Sequence, residues 1–417
     1  MTFIPANERD LLQALATRVR EIAVSDLNRQ RRQRAFALND LSLERPFVLC
    51  LPENAWRELV PQESLRCSHP EPRRFEWDLR ARIFQHDAIG DDAVIEDILD
   101  VPTVADISGW GVDIPQHRVA DHGAATWDPP LADISRDLPR LHQRTLTVDR
   151  AATAQRLALA EDLFDGILMV RESFGGMWSV GLTASAIKLI GLEQFLFAMY
   201  DDPQGLHRLM AWLRDDCAHL MDQCEAAGLL DSMAGANPVG SGGIGYTTAL
   251  PSRDPRDPSY RRPVTYRQRW GLGESQETVG VSPEMFAEFV LPYQRPLLER
   301  LGLVCYGCCE GLETRIDHIL DLPRLRRVSV SPWADQAIMA EKLGRKAIFS
   351  RKPNPALVCV DFNEAAVRRD LRSTLAVADG CVLEFVLKDT HTVQHQTDRF
   401  ARWVAIAREE IDRHYAD

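Results

Sequence analysis

Leu303-Val304-Cys305-Tyr306-Gly307-Cys308-Cys309 is a short apolar run that empties into Glu310, and it reads as a strand. The pattern then repeats downstream. The spacing of apolar residues predicts a helix at 313–320, a strand at 327–330, a helix at 335–343 and a strand at 347–350. A helix at 364–378, a strand at 381–387 and a closing helix at 396–415 complete it. Strands separated by helices predict parallel βαβ units, because a parallel pair needs a long crossover and a helix supplies it.

Upstream the same rhythm holds, with interruptions. A strand at 166–172 follows a helix at 151–163, and helices are predicted over 184–199 and 203–227. A strand spans 269–274, and another helix starts at Pro283, where Ser282 is the natural N-cap and a proline lacks only a hydrogen bond the first turn never makes. Pro292 is expected to kink that helix. Residues 231–270 are rich in Gly, Pro, Arg and Ser and read as a loop insertion. Within them Gly240-Ser241-Gly242-Gly243-Ile244-Gly245 has the letters of a dinucleotide-binding loop. It lacks the preceding strand, and Pro251 interrupts any following helix, so a flexible lid or insertion is the better reading. Near the N-terminus Leu12, Leu15, Val19 and Ile22 mark an amphipathic helix, Arg29–Arg34 a solvated basic face, and Pro46–Leu51 a strand.

Polar residues gather where the strands end. The exits carry Arg171 and Glu172; Glu274 and Gln276; Cys308, Cys309 and Glu310; Ser331 and Trp333; Arg351 and Lys352; Lys388, Asp389 and His391. In parallel α/β folds the carboxyl ends of strands face the active-site mouth, so the pattern points to an enzyme.

Ser282-Pro283-Glu284-Met285-Phe286-Ala287-Glu288-Phe289-Val290-Leu291-Pro292-Tyr293 resembles a segment of the uroporphyrinogen decarboxylase superfamily. Ala184–Met199 with Tyr200-Asp201-Asp202-Pro203 resembles the family's helix and following turn, and Ser350-Arg351-Lys352-Pro353-Asn354-Pro355 stands where the family has a Gly-Asn-(Leu/Val)-Asp-Pro loop. The resemblance covers about residues 145–415 and implies an α/β fold, a (β/α)8 TIM barrel of the uroporphyrinogen decarboxylase type. Residues 1–145 would then be an N-terminal helical and irregular extension holding the first barrel strand, and 146–417 the main body. The arginine-bearing N-terminal segment of true decarboxylases is missing. The methyltransferases of the family, which work with methylcorrinoid proteins, bind zinc through a His-x-Cys pair and a later Cys. Here Cys308 matches the first cysteine, Tyr306 replaces the histidine, and the last strand exit offers His391 instead of a cysteine.

What the resemblance implies is therefore a zinc-dependent methyltransferase or demethylase component with a corrinoid-carrying partner protein. A decarboxylase of a tetrapyrrole or small acid is the alternative, and a barrel that binds a corrinoid or tetrapyrrole without turnover is the third reading. Cys308, Cys309, Glu310 and His391 are the candidate metal ligands, numerous enough for the four that zinc prefers. The cysteines could equally be a metal-free reactive thiol or small residues packing a strand. Adjacent residues of a strand face opposite ways, so both sulfurs meeting one ion needs a bend, and Gly307 makes one plausible. Glu274 and Glu172 could accept protons or hold substrate, with Lys388 and Asp389 at the same mouth. Arg351 and Lys352 are a candidate carboxylate clamp, while Trp178 and Tyr306 would wall the pocket.

The 417 residues are 45% hydrophobic and 26% charged, a globular composition. A net charge of −12, spread along the chain, disfavours nucleic acid and anionic lipid as partners. Nine cysteines do not suggest a disulfide framework, and neither a signal peptide nor a membrane span is visible, so a cytoplasmic protein is expected. A homodimer is expected by analogy with relatives.

Overall fold

The computed structural model describes residues 4–118, 125–176 and 179–416. Eight parallel strands organise it: β1 (Phe47–Cys50), β2 (Ile98–Pro102), β3 (Met169–Ser173), β4 (Trp270–Gly273), β5 (Leu303–Tyr306), β6 (Leu325–Val330), β7 (Ile348–Arg351) and β8 (Val382–Leu387). Six form one sheet in the order β1-β8-β7-β6-β5-β4, and β2 pairs with β3. The chain is thus an α/β protein with a parallel sheet. Both β1 and β2 come from the first 145 residues.

Among the described residues no ladder joins β1 to β2 or β3 to β4. Other groups serve at these two seams. The amides of Val48 and Cys50 donate to the carboxylates of Asp92 (2.9 Å) and Asp91 (2.8 Å), and the Asp92 amide returns a bond to the Val48 carbonyl. At the other seam Val180 donates to the Leu272 carbonyl and Trp270 to that of Ser232.

The two faces of the sheet are packed differently. Val304, Tyr306, Val328, Val330, Phe349, Leu383 and Phe385 point to the helices, joining Phe286, Ile319, Met339, Leu371 and Trp403 in one core. The alternate residues of the same strands face inward, as period-two side-chain geometry requires. There Leu49, Ile348, Val382 and Val386 meet Ile244 and Tyr246, while Trp270, Leu272, Leu303 and Cys305 meet Ala234, Val239 and Leu250. The segment expected to be a flexible lid is therefore the filling of the inner face. Residues 239–247 are all buried, and Pro238–Val239 pairs with Gly243–Ile244 as a small hairpin. Its glycines are spacers, not phosphate binders: a Cβ on Gly245 would overlap the Met233 carbonyl oxygen, and one on Gly243 the guanidinium of Arg327.

Several local expectations are sharpened. Ser282 caps its helix by accepting from the Met285 amide, but the helix stops at Phe289 and restarts at Leu291, with Pro292 in the new first turn. The single helix expected over 184–199 is two, Leu182–Ile190 and Leu192–Asp201, meeting at 94° across Gly191, whose φ of +82° suits glycine. The basic run lies on the helix Asp26–Asn39 but is not simply a solvated face. Arg31 is buried, and Arg34 pairs with Asp92, because this helix packs on β1. Among the described residues no single helix is long and apolar enough to cross a membrane.

Replacing Gly245 with alanine is expected to cost about 1–3 kcal/mol, the usual penalty of overpacking where the obstructing atom is backbone. Gly280→Ala, where a Cβ meets nothing within 4 Å, should leave the urea midpoint unchanged. Equal midpoints for the two variants would contradict the packing of this hairpin.

Candidate functional site

The chemistry gathers where β4, β5, β7 and β8 end. After β5 the chain turns at Gly307, whose φ is +90°, and this bend does what the strand alternation forbids. It brings Cys308 Sγ to 3.6 Å from Cys309 Sγ. Ser241, from the inner-face hairpin, donates to Cys308 Sγ at 3.5 Å, and Cys309 Sγ lies 3.9 Å from Asp389 Oδ2. Asp389 in turn holds Lys388 Nζ at 2.6 Å. Cys308 is partly exposed, Cys309 exposed, and Lys388 buried apart from a small part of its surface.

Electrostatics separates the two thiols. The sulfur–sulfur hydrogen bond with Cys309, then Ser241 and the Lys388 ammonium, hold the Cys308 thiol down at about 6 despite burial. The same hydrogen bond, with burial, pushes the Cys309 thiol up. The two shifts run in opposite directions and favour the thiolate at Cys308 over Cys309, and a thiolate is the reactive form.

Glu274, at the exit of β4, moves the opposite way. Burial, then the charges of Glu277 and Glu310, pushes its carboxyl up to about 8. It is therefore an acid with a proton to give at pH 7. Glu310 is fully buried and ties the two exits together: Oε1 accepts from the Ser275 amide (3.0 Å) and Oε2 from the Cys308 amide (2.8 Å). Thiolate and carboxylic acid thus stand on neighbouring strands fixed by one carboxylate. Two titratable groups shifted in opposite senses at a strand mouth could serve as a nucleophile and an acid.

The four residues expected to bind zinc do not assemble as a ligand set. Both oxygens of Glu310 are occupied by backbone amides. His391 sits further along the loop after β8, its Nδ1 2.8 Å from Asn54 Nδ2 and its carbonyl accepting from Arg57. Among the described residues no group of three or more His, Cys, Asp and Glu side chains is placed to hold a metal ion. The residues present do not fit the zinc centre that the resemblance implies.

The remaining expected residues divide in the same way. Lys352 faces inward, its Nζ bonded to Ser350, and burial holds it down at about 8. Arg351 faces outward and is consumed by Asp370, Thr374 and the carbonyls of Ser331 and Lys352, so the two do not form a clamp. Tyr306 is likewise on the helix side of β5, its hydroxyl donating to Gln294. Glu172 accepts from Thr103 and pairs with Arg150 and Arg262, away from the thiols. Trp178 lies outside the described residues. Sequence reasoning missed Ser241. The signal was available in Gly240–Gly245, since a glycine run also marks close backbone approach.

No protein-family model matches the chain, and no curated protein matches it. Among solved structures it is similar to a methyltransferase from Methanosarcina mazei, at 10% sequence identity and a TM-score of 0.49, over 91% of this chain and 98% of that chain.

Alkylation by iodoacetamide, followed by peptide mass spectrometry, should label Cys308 with a rate that rises through about pH 6, as the thiolate forms. Cys309 should lag until far higher pH. Lys388→Met removes a charge that favours the thiolate, so its midpoint should move upward. A midpoint for Cys308 at the ordinary thiol value, about 8.5, would show that the pair does not work as described.

Proposed function

We propose that this chain is a group-transfer enzyme on a (β/α)8 barrel of the uroporphyrinogen decarboxylase type, that Cys308 is its nucleophile and Glu274 its proton donor, and that the group moved is methyl. The observation that carries the proposal is the pairing of a thiol held low with a carboxyl held high at the exits of β5 and β4. The barrel is supported by strand order. Taken as a ring from β1 to β8, every ladder among these eight strands joins ring neighbours, and among the described residues only the two seams lack one.

The Cys308 thiolate attacks the methyl carbon of an O- or N-methyl substrate, forming an S–C bond as the bond from carbon to the heteroatom breaks. The departing heteroatom takes the electron pair, and Glu274 gives it a proton, leaving a carboxylate. Such heteroatoms leave poorly as anions, which is why an acid near pKa 8 belongs beside the thiolate. Lys388, held above its usual range by Asp389 and the thiols against the effect of burial, stays protonated beside the thiolate. A nucleophilic acceptor then attacks the methyl carbon, the S–C bond breaks with its electron pair returning to Cys308 as the thiolate, and Glu274 regains a proton from solvent. A corrinoid on a partner protein is the acceptor that the resemblance at Ser282–Tyr293 suggests.

Single-turnover methylation of Cys308 tests this. With methyl 4-nitrobenzenesulfonate, whose leaving group needs no proton, Cys308 should gain one methyl ahead of every other thiol in wild type and in Glu274→Gln alike. With an aryl methyl ether as donor the rate should be highest between about pH 6 and about pH 8, falling below as the thiolate protonates and above as Glu274 ionises. Glu274→Gln should slow it by about 10²–10⁴-fold and abolish the alkaline fall. Methylation spread evenly over the cysteines would overturn the proposal.

A further inference from the structure

The proposed methyl transfer uses one thiol of a pair and gives Cys309 no part. Cys308 and Cys309 are consecutive, and after the turn at Gly307 their sulfurs lie 3.6 Å apart. Cys308 is partly exposed, Cys309 exposed, and every other cysteine is buried, so these are the thiols that a small oxidant can reach. A solvent-accessible thiolate is oxidised first to a sulfenic acid. With a second thiol at hand that acid condenses to a disulfide; without one it goes on to sulfinic and sulfonic acids, which are not readily reversed.

The second thiol is in place. Cys305, the next cysteine before the pair, is buried on the inner face of β5, with Arg327 Nη1 4.0 Å from its sulfur. Cys309 is at the surface, where its side chain can swing without displacing packed neighbours. Its sulfur contacts Cys308 and, at 3.9 Å, Asp389 Oδ2, which is placed to take its proton.

We propose that Cys308 and Cys309 are a modification site, closing to a reversible vicinal disulfide when a hydroperoxide reaches the mouth and taking the Cys308 thiolate out of use. The Cys308 thiolate attacks one oxygen of hydrogen peroxide. The S–O bond forms, the O–O bond breaks, and hydroxide departs with the electron pair and is protonated by solvent. The Cys309 sulfur, its proton passing to Asp389, then attacks the sulfenic sulfur. The S–S bond forms, the S–O bond breaks, and the departing hydroxide takes the proton from Asp389 and leaves as water. The two sulfurs together lose two electrons, and the peroxide gains them.

Geometry makes this bond a labile one. To close it the sulfurs must move from 3.6 Å to about 2.05 Å. Ordinary disulfides join Cα atoms roughly 4.4–6.8 Å apart, whereas consecutive Cα atoms across a trans peptide are about 3.8 Å apart. A bond between neighbours is therefore strained, and strained, exposed disulfides are the ones that glutathione reduces.

The test is mass spectrometry of the full-length protein after treatment with a few equivalents of hydrogen peroxide, quenching with catalase, and alkylation in denaturant without reductant. The tryptic peptide Leu301–Arg315, which carries Cys305, Cys308 and Cys309, should lose two hydrogens and accept one alkyl group where untreated protein accepts three. Cys305→Ser should lose the same two hydrogens. Glutathione should restore the thiols. In Cys309→Ser, Cys308 should instead gain oxygens that glutathione does not remove. The mass readout is independent of methyl transfer, so a disulfide in a protein that methylates nothing supports the site and overturns only the earlier reading. No reaction at either thiol, sulfinic or sulfonic acid on wild-type Cys308 beside an alkylated Cys309, a bond from Cys305 to either neighbour, a link between two chains, or a disulfide that glutathione leaves closed would each overturn the proposal.

Discussion

The inner face is organised around one buried ion pair. Arg327, near the start of β6, meets Glu384 of β8 through Nε–Oε1 (2.7 Å) and Nη2–Oε2 (3.2 Å), and both side chains are essentially inaccessible. The same guanidinium donates to Asn39, at the end of the helix Asp26–Asn39, and to the Ile244 carbonyl of the hairpin, while Trp270 of β4 lies against it. Asn39 also donates to the Ile244 carbonyl. One residue therefore joins two strands, a preceding helix and the inserted segment. Taking both charges out of water costs several kcal/mol, which is recovered only because nearly every donor and acceptor is satisfied. This explains why Gly243 must be glycine: the backbone has to come within reach of a guanidinium that cannot move.

The ion pair also sets the electrostatics above it. Glu384 keeps its charge despite complete burial because Arg327 and Lys352 pull its carboxyl below the usual carboxylate value. Lys352, one residue pair further along β7, feels the opposite balance. Burial lowers it, with Arg327 and Lys388 acting in the same direction, and Glu384 and Cys308 oppose them. Charge thus alternates from Arg327 through Glu384 and Lys352 to the Cys308 thiolate at the rim. In a region with little water such alternation is felt over several ångströms, and Lys352 feels the Cys308 charge as well as that of Glu384.

How far this could be read from the sequence follows from the same geometry. The strands from β4 to β8 were legible because their outward residues are apolar and their spacing by helices is regular. β2, Ile98-Leu99-Asp100-Val101-Pro102, was not recognised: Asp100 inside it is the carboxylate that holds Arg171 and Arg253, so a long-range contact breaks the apolar pattern. The inserted segment was legible as irregular but not as buried, because glycine and serine look alike in a mobile loop and in a tightly packed turn. At the strand exits the sequence flagged Cys308, Cys309, Glu274, Lys388 and Asp389, and the structure brings Cys308, Cys309, Lys388 and Asp389 into one chain of contacts. The sequence also flagged Arg351 there, since exits identify the level of a residue along a strand but not the face it points to. Glu310 was flagged for its carboxylate, and that carboxylate is what the backbone uses.

The β1–β2 seam shows why the sheet leaves ladders out where it does. β1 is only four residues long, and on its free edge the amides of Val48 and Cys50 point at Asp92 and Asp91, not at a strand. Carboxylates are stronger acceptors than carbonyls, so two of them replace two ladder bonds without requiring the register of a partner strand. Freed from that register, the chain after Asp92 can send Ile95 to the Asn28 side chain and Glu96 to Tyr246 and Arg253, anchoring the inner-face segment from the other side. Asp91 bears the cost, for complete burial pushes its carboxyl up to about 6 even with three donors around it. A regular ladder at this seam would spare that cost, but Asp91 and Asp92 would lose their place beside β1. The open seam and the filled inner face are consequences of the same requirement: the inserted segment must be held from both ends before the strand exits can bring the thiols together.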